Sequence, residues 1–519
     1  MRTIWAALCL FPSVALAQGW PAVNSPIPAG RQAISVLGYV AGNAELKGVG
    51  GSDHPAGVTR LGFTAPGDGG AATYFWSPAN CASADDGAQV QPTGITGCWQ
   101  ADFSFFKPNV KQWGAKGDGT TDDANAINTA LSSANSLSLG EMNFPATSAF
   151  YGICSAHINY APSKAFHVRA PKGTRIQVLP ACASPPNEVW YTNVLIPLGS
   201  NIYLGNNVIE GLTLDGYCKT KYVLHHATGQ GTTYYNMLIR SAAPGNVIAG
   251  SAGAYFANGN ERRMGAGNVI ANENRLGNIC YTSSASLPTY GMRDEGGNDD
   301  FTGLLVVNAQ IGIYNNGGDN FYGPGTHVWG GLDIDGSGQG VYNPVLDVTT
   351  GIHLVSNGSV IGAEIDQAKS YAVLLDGGAE GSLGGMVAVG VNCRYAAGGP
   401  SASQYCVHRT ATPTQYYVAG TNSPQHTGTA SSAIYGGVHF TSPHQFDGLA
   451  LQNSTNAVAA LSAQDTGGDN GTLVLNKAGV TGFRWQADGT AIVKNLPTSC
   501  SGKPSGTVWL NAGAMSVCP

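Results

Sequence analysis

Charge is scarce in this chain. Asp, Glu, Lys and Arg make up 11% of its 519 residues, against roughly 25% in an average soluble domain. The formal net charge is −6, so no basic face for nucleic acid is expected, nor any general attraction for acidic polymers. After the N-terminal leader no segment approaches about 20 apolar residues, and no membrane partner is expected. Gly-x-Ser-x-Gly and phosphate-loop patterns are missing, which sets aside serine-esterase and nucleotide chemistry. No CxxC pair or Cys/His cluster stands at zinc-ligand spacing, so no metal site is assigned. Helical periodicity is absent from about 140 to 440. Hydrophobic residues still make up 43%, enough for a large core and too many for disorder.

Glycine is what the chain has in excess, 73 residues, about twice the usual ~7% share. With Asn, Val, Ile, Leu and Tyr it suits many short strands joined by tight turns. Arg2, an apolar stretch over 4–16 broken by Pro12, and Ala15-Leu16-Ala17 read as a signal peptide over 1–17, with Gln18 beginning a secreted, extracellular or periplasmic chain. The cysteines agree with export. Eleven are present, and losing Cys9 with the leader leaves an even number. They fall in near-neighbour couples: Cys81 with Cys98, Cys154 with Cys182, Cys218 with Cys280, Cys393 with Cys406, Cys500 with Cys518. In an oxidising compartment these read as disulfides, with connectivity left open.

Residues 18–106 form a Gly/Pro-rich head. It contains Thr64-Ala65-Pro66-Gly67-Asp68-Gly69-Gly70, then Tyr74-Phe75-Trp76, and closes on Gly97-Cys98-Trp99. Gly114-Ala115-Lys116-Gly117-Asp118-Gly119-Thr120-Thr121-Asp122-Asp123 follows. Gly117 and Gly119 allow a tight turn. Thr120 with Asp123 approximates a capping box, and Ala124, Ile127, Ala130 and Leu131 stand at helical spacing, which predicts a short amphipathic helix over 121–135. The two segments together resemble the pectate-lyase-like superfamily, which includes phage tailspikes, glucanases and rhamnogalacturonases. The resemblance covers about 60–135. It implies an all-β fold, a right-handed parallel β-helix whose first turn is capped by that helix.

The texture that follows agrees. Short β-rich runs such as 208–216, 304–308, 311–316, 351–355, 371–375 and 386–392 are separated by Gly, Asn and Asp. Gly331-Leu332-Asp333-Ile334-Asp335 and Gly362-Ala363-Glu364-Ile365-Asp366 match at an offset of 31, as coils of a solenoid would. The β-helix is therefore expected over 107–440, with a small β-rich accessory segment over 441–519 that Cys500 and Cys518 would clip. A β-sandwich would need clearer hairpin turns. A homotrimer is compatible with such a C-terminal piece.

The resemblance makes a polysaccharide the expected partner, lying along one side of the β-helix. Hydrolysis of a glycosidic bond needs two carboxylates. Asp333 and Asp335 share one face of a strand, as do Glu364 and Asp366, and stacked on adjacent coils the four would form the catalytic group. Acids ending strands also serve as turn formers, and stacked acids could hold calcium; otherwise no cofactor is called for. Arg293-Asp294-Glu295-Gly296-Gly297-Asn298-Asp299-Asp300 reads as an acidic loop: a solvated turn, a calcium loop or a groove edge. Asp319, Tyr322, His327 and Trp329, with Arg293, are the candidate substrate-binding residues. A β-eliminating lyase is the alternative, with base and cation drawn from Arg240, Arg262, Arg263, Arg275 and Arg293. A non-catalytic glycan-binding adhesin is the other.

Overall fold

The computed structural model describes residues 38–54, 56–104, 106–194, 207–259, 262–274 and 278–330. Beyond these it describes 332–334, 340–342, 346–376, 386–395, 405–409, 415–419, Ser501-Gly502 and a set of short strands between 437 and 517. The leader over 1–17 lies outside the described residues. No helix among those described is long and apolar enough to cross a membrane.

The head forms a small sheet in the order Gly38–Val40, Val58–Arg60, Ala72–Ser77, Cys98–Asp102, Gln89–Val90. Val40, Val58, Tyr74, Val90 and Trp99 form its core. Arg60 is fully buried there. Its guanidinium donates to Asn43 Oδ1 at 2.7 Å, to the Asp86 carbonyl at 2.9 Å and to the Gln112 carbonyl at 2.6 Å. The last bond ties the head to the 3₁₀ turn Val110–Trp113.

That turn leads into the expected helix, Ala124–Ser136. Its apolar side, Ala124, Ile127, Ala130, Leu131 and Ala134, closes the end of the main core. The expected Thr120–Asp123 capping box is not formed. Asp118 takes the Thr120 and Thr121 N–H groups at 2.9 and 2.7 Å, while Asp123 turns back to accept from Lys116 and Gly117. Asp122 reaches the backbone of Cys154 and Ser155. Three carboxylates thus satisfy three separate turns, and four donors hold Asp118 well below the usual carboxylate range.

The expected parallel β-helix follows. Its strands form three stacks, each in parallel register. The first face runs Ile158–Tyr160, Glu188–Asn193, Tyr222–Thr228, Ala252–Phe256, Tyr290–Asp294, Ile311–Asn315 and Val348–Leu354. The second includes Thr232–Tyr235, Arg263–Met264, Asp300–Phe301, Asn320–Tyr322, Gly358–Ile361 and Met386–Val389. The third includes Leu238–Arg240, Val269–Ala271, Leu305–Val307 and His327–Trp329. The strand Glu364–Leu375 begins on the third face and ends on the first, bending at Gln367, whose φ is 62°. At the far end Gln415–Ala419 pairs antiparallel with Gly437–Phe440, which ends the parallel pattern.

Four of the expected disulfides are present: Cys81–Cys98, Cys154–Cys182, Cys218–Cys280 and Cys393–Cys406. Cys500 and Cys518 lie outside the described residues. The C-terminal stretch is β-rich as expected, with the antiparallel sheet Ala460–Gln464, Thr472–Lys477, Val480–Trp485, Ala491–Val493 and the hairpin Val508–Asn511, Ala514–Val517.

Candidate functional site

On a strand, alternate side chains face the core and the solvent. In Tyr290–Asp294 the alternation breaks at Gly291, so Met292 and Asp294 are buried while Tyr290 and Arg293 are part-exposed. Parallel register repeats the choice on each rung, so the outward side chains form rows. One row reads Asn159, Tyr191, His225, Tyr255, Arg293, Tyr314, His353. Beside it stand Glu188, Tyr222 and Tyr290.

The rings touch in sequence. His157 and Tyr191 have centroids 5.2 Å apart, Tyr191 and His225 5.1 Å, and His225 lies stacked on Tyr255 at 4.8 Å. The Arg293 guanidinium bridges the next step, 4.9 Å from Tyr255 and 5.6 Å from Tyr290. Tyr290 meets Tyr314 at 5.0 Å and Tyr314 meets His353 at 5.3 Å. At the helix-capped end the row reaches a cleft of about 490 Å³, lined by Asp85 of the head, Asn128 and Ser132 of the capping helix, and Asn159.

Carboxylates accompany the rings. Glu188 lies 3.2 Å from His225 Nδ1 and 3.5 Å from His157 Nδ1. Glu295 follows the strand Tyr290–Asp294; it accepts from the Tyr255 hydroxyl at 2.7 Å, from Arg293 Nε at 3.0 Å and from a second Arg293 nitrogen. Asp376 follows Glu364–Leu375 and lies 3.3 Å from His353 Nε2. Burial, followed by the bond to Glu295, pushes the Tyr255 hydroxyl up to about 12. Burial pushes Tyr314 up too, with Glu295 and Asp376 both adding to it. Burial lowers His353 although Asp376 opposes this. The arrangement can hold a flat apolar surface between oriented carboxylates.

The candidates named from the sequence scatter over three faces. Arg293 stands in the ring row. Asp319 is exposed at the turn before the second-face strand Asn320–Tyr322, with φ 54°. Tyr322 is fully buried and donates to Asp294 Oδ2 at 3.0 Å, so it cannot meet a polysaccharide. His327 and Trp329 stand outward on the third face, rings stacked at 5.6 Å. Glu364 and Asp366 are their neighbours on the next rung.

The expected stacking of Asp333 on Glu364 is not formed. Leu332–Ile334 is one arm of an antiparallel hairpin with Gly340–Tyr342, inserted between two coils. The true repeat here is 37 residues, His327 beside Glu364, and the offset of 31 came from an insertion that resembles a rung. Asp335 lies outside the described residues. Among the arginines offered for elimination, Arg262 is fully buried against Asp299, and Arg240 pairs with Asp215 at 3.1 Å. Arg275 lies outside the described residues.

The acidic loop over 293–300 also divides. Asp294 and Asp299 are fully buried, both contacting Arg262, so neither is a solvated turn. Of its acids, Glu295 joins the ring row beside Arg293. A signal for the row was present in the sequence. Ala-Gly-Ala-Tyr-Phe at 252–256, Tyr-Gly-Met-Arg-Asp at 290–294, Ile-Gly-Ile-Tyr-Asn at 311–315 and Thr-Gly-Ile-His-Leu at 350–354 share a glycine followed two residues later by a ring or a guanidinium. Their unequal spacing hid the repeat.

No protein-family model matches the chain, and no curated protein matches it by sequence. The structure is similar to solved ones at low identity, among them the following three. A glycan biofilm-modifying enzyme of Pantoea stewartii, with a tailspike-like parallel β-helix fold, is 13% identical at a TM-score of 0.37, over 81% of this chain and 56% of that one. The enzymatically active domain of tailspike protein 4 from bacteriophage CBA120 is 9% identical at 0.41, over 85% and 63%. A tailspike of an Acinetobacter phage is 13% identical at 0.43, over 92% and 83%. The chain thus spans less than two thirds of the first two.

Proposed function

We propose that this protein binds a polysaccharide along the first face and cleaves it by hydrolysis. The observation that carries the reading is the run of touching outward rings from His157 to His353. Rings fixed on a rigid wall offer apolar faces for the C–H faces of successive sugars, at little cost in side-chain entropy. Glu295 sits within this run and is oriented by Tyr255 and Arg293, as a base or nucleophile must be. Elimination would need a cation for a uronate carboxylate, and Arg293 is already engaged by Glu295.

A glycan digestion screen tests the proposal, with neutral and uronic-acid polymers incubated with the mature protein. New reducing ends without the ultraviolet absorbance of unsaturated sugars are expected. Glu295→Gln should lower turnover about 10²–10⁴-fold, and Tyr314→Ala should raise KM more than it lowers kcat. Unsaturated ends would overturn the hydrolytic chemistry. Full turnover in Glu295→Gln, with loss in Glu364→Gln or Asp366→Asn, would move the reaction to the third face.

One spacing favours a second reading, binding without cleavage. Glu295 and Asp376 follow strands three rungs apart, roughly 14 Å at ~4.8 Å per rung. An inverting pair stands at about 6.5–9.5 Å. Binding across the panel with no new ends would support that reading.

A further inference from the structure

The third face carries a group of ligating side chains that the glycan reading leaves unused. His327 and Glu364 stand side by side on adjoining rungs, and Asp366 stands beside Trp329. One ligating atom from each of His327, Glu364 and Asp366 lies within 4.8 Å of the other two. Among the described residues this is the group of three that closes to that distance. His327 Nε2 and Asp366 Oδ2 are 3.1 Å apart. Trp329 stacks on the imidazole with 5° between the planes, so packing sets the ring's orientation. The side chain of Asp366 is 9% exposed and that of His327 26%, which sinks the group into the wall while leaving one side open.

We propose that His327, Glu364 and Asp366 bind one divalent cation of the Zn²⁺ or Mn²⁺ class. Ligands about 2.0–2.2 Å from a common ion stand roughly 3–4 Å from one another. The His327–Asp366 separation already falls there, and a small rotation of Glu364, the most flexible of the three, closes the set. A neutral imidazole with two carboxylates brings two negative charges to match a dication. One nitrogen with two oxygens suits Zn²⁺ or Mn²⁺, whereas Ca²⁺ takes six to eight oxygens. Three protein ligands leave a position open to water or a small ligand. Because His327 and Glu364 are 37 residues apart on adjoining coils, the ion also clips those coils together.

Calorimetric titration of the chelator-treated full chain with ZnCl₂, MnCl₂ and CaCl₂ tests this. One equivalent of Zn²⁺ or Mn²⁺ per chain is expected, with Ca²⁺ weaker by about tenfold or more. The bound ion should change tryptophan fluorescence through Trp329 and raise Tm. Glu364→Gln and His327→Ala should each weaken uptake by at least the about 10–100-fold that losing an outer-shell partner costs, and abolish the fluorescence change, while keeping the metal-free Tm within a few degrees of the wild type. Glu295→Gln, on the other face, should bind the ion as the wild type does. No stoichiometric uptake by the wild type would overturn the site, as would uptake that survives both third-face substitutions.

Discussion

Asp294 points into the coil and Glu295 out of it, and the two carboxyls meet different physics. Asp294 is fully buried; Asn320 Nδ2 donates to it at 2.7 Å and the Tyr322 hydroxyl at 3.0 Å, with Arg262 at 3.5 Å. Arg262 is engaged chiefly by Asp299. Burial, and then the charge of Asp299, hold the Asp294 carboxyl well above its ordinary range, although Arg262 opposes both. With a folded-state pKa above the unfolded one, the folded protein binds the extra proton. Ionised Asp294 therefore costs stability at high pH, and that cost fades as pH falls to the ordinary carboxyl range near ~4. Asp294→Asn should accordingly gain Tm over the wild type at about pH 8, with the gain shrinking towards about pH 4. A difference independent of pH, measured by thermal unfolding across that range, would show that Asp294 stays ionised against Arg262. Four acids in eight residues read alike in the sequence; only the inward or outward turn of each strand position separates them.

At the scale of the element, the first-face strands depend on a ladder of small residues. Gly253, Gly291, Gly312 and Gly351 occupy the same position on successive rungs, and Ala372 ends the series. A Cβ at Gly291 would stand 2.3 Å from Val306 Cγ1 and 2.6 Å from the Gly312 carbonyl. At Gly312 the next carbonyl, that of Gly351, would be 2.6 Å away. The absence of a Cβ lets each first-face strand lie close to the third-face side chains inside the coil. Gly291→Ala should cost about 1–3 kcal/mol or more through overpacking, read from denaturant unfolding. Gly265→Ala, with open space around its Cβ, should cost much less. The helix Ala124–Ser136 was legible within three residues of its start because its apolar spacing is local. Its cap was not, because the Asp123 N–H that Thr120 would accept is taken by the Gly152 carbonyl, a partner from a strand further along the chain that local propensity does not register.

At the scale of the molecule, coil length is irregular. Tyr290 pairs with Ile311 after 21 residues, and Ile311 with Thr350 after 39. The extra residues leave the wall between the third and first faces. There Cys218–Cys280 closes 62 residues beside a small satellite core of Tyr281, Leu287 and Leu346. Loop-closure entropy makes removal of that bond cost about 4 kcal/mol, against about 3 kcal/mol for Cys393–Cys406, which closes 13 residues. Cys218→Ser with Cys280→Ser should therefore lower Tm further than the Cys393/Cys406 pair; the reverse order would place the stabilisation in local packing.

Composition, turn glycines and the head-and-helix motif determined the fold class and the capping helix, because each depends on residues near one another in the chain; the cysteine couples pointed to disulfides, and the tertiary structure fixed their pairing, across 62 residues for Cys218–Cys280. Strand runs such as 304–308 and 311–316 were legible for the same reason, and the structure places strands at Leu305–Val307 and Ile311–Asn315. The neighbours of a side chain across rungs were decided only by tertiary structure. In a solenoid those neighbours depend on how many residues each turn inserts, and an insertion of any length is nearly neutral to the wall it leaves. Asp333 left the wall in a hairpin, Tyr322 turned inward, and Tyr191, Tyr255 and Tyr314 came together from three separate coils.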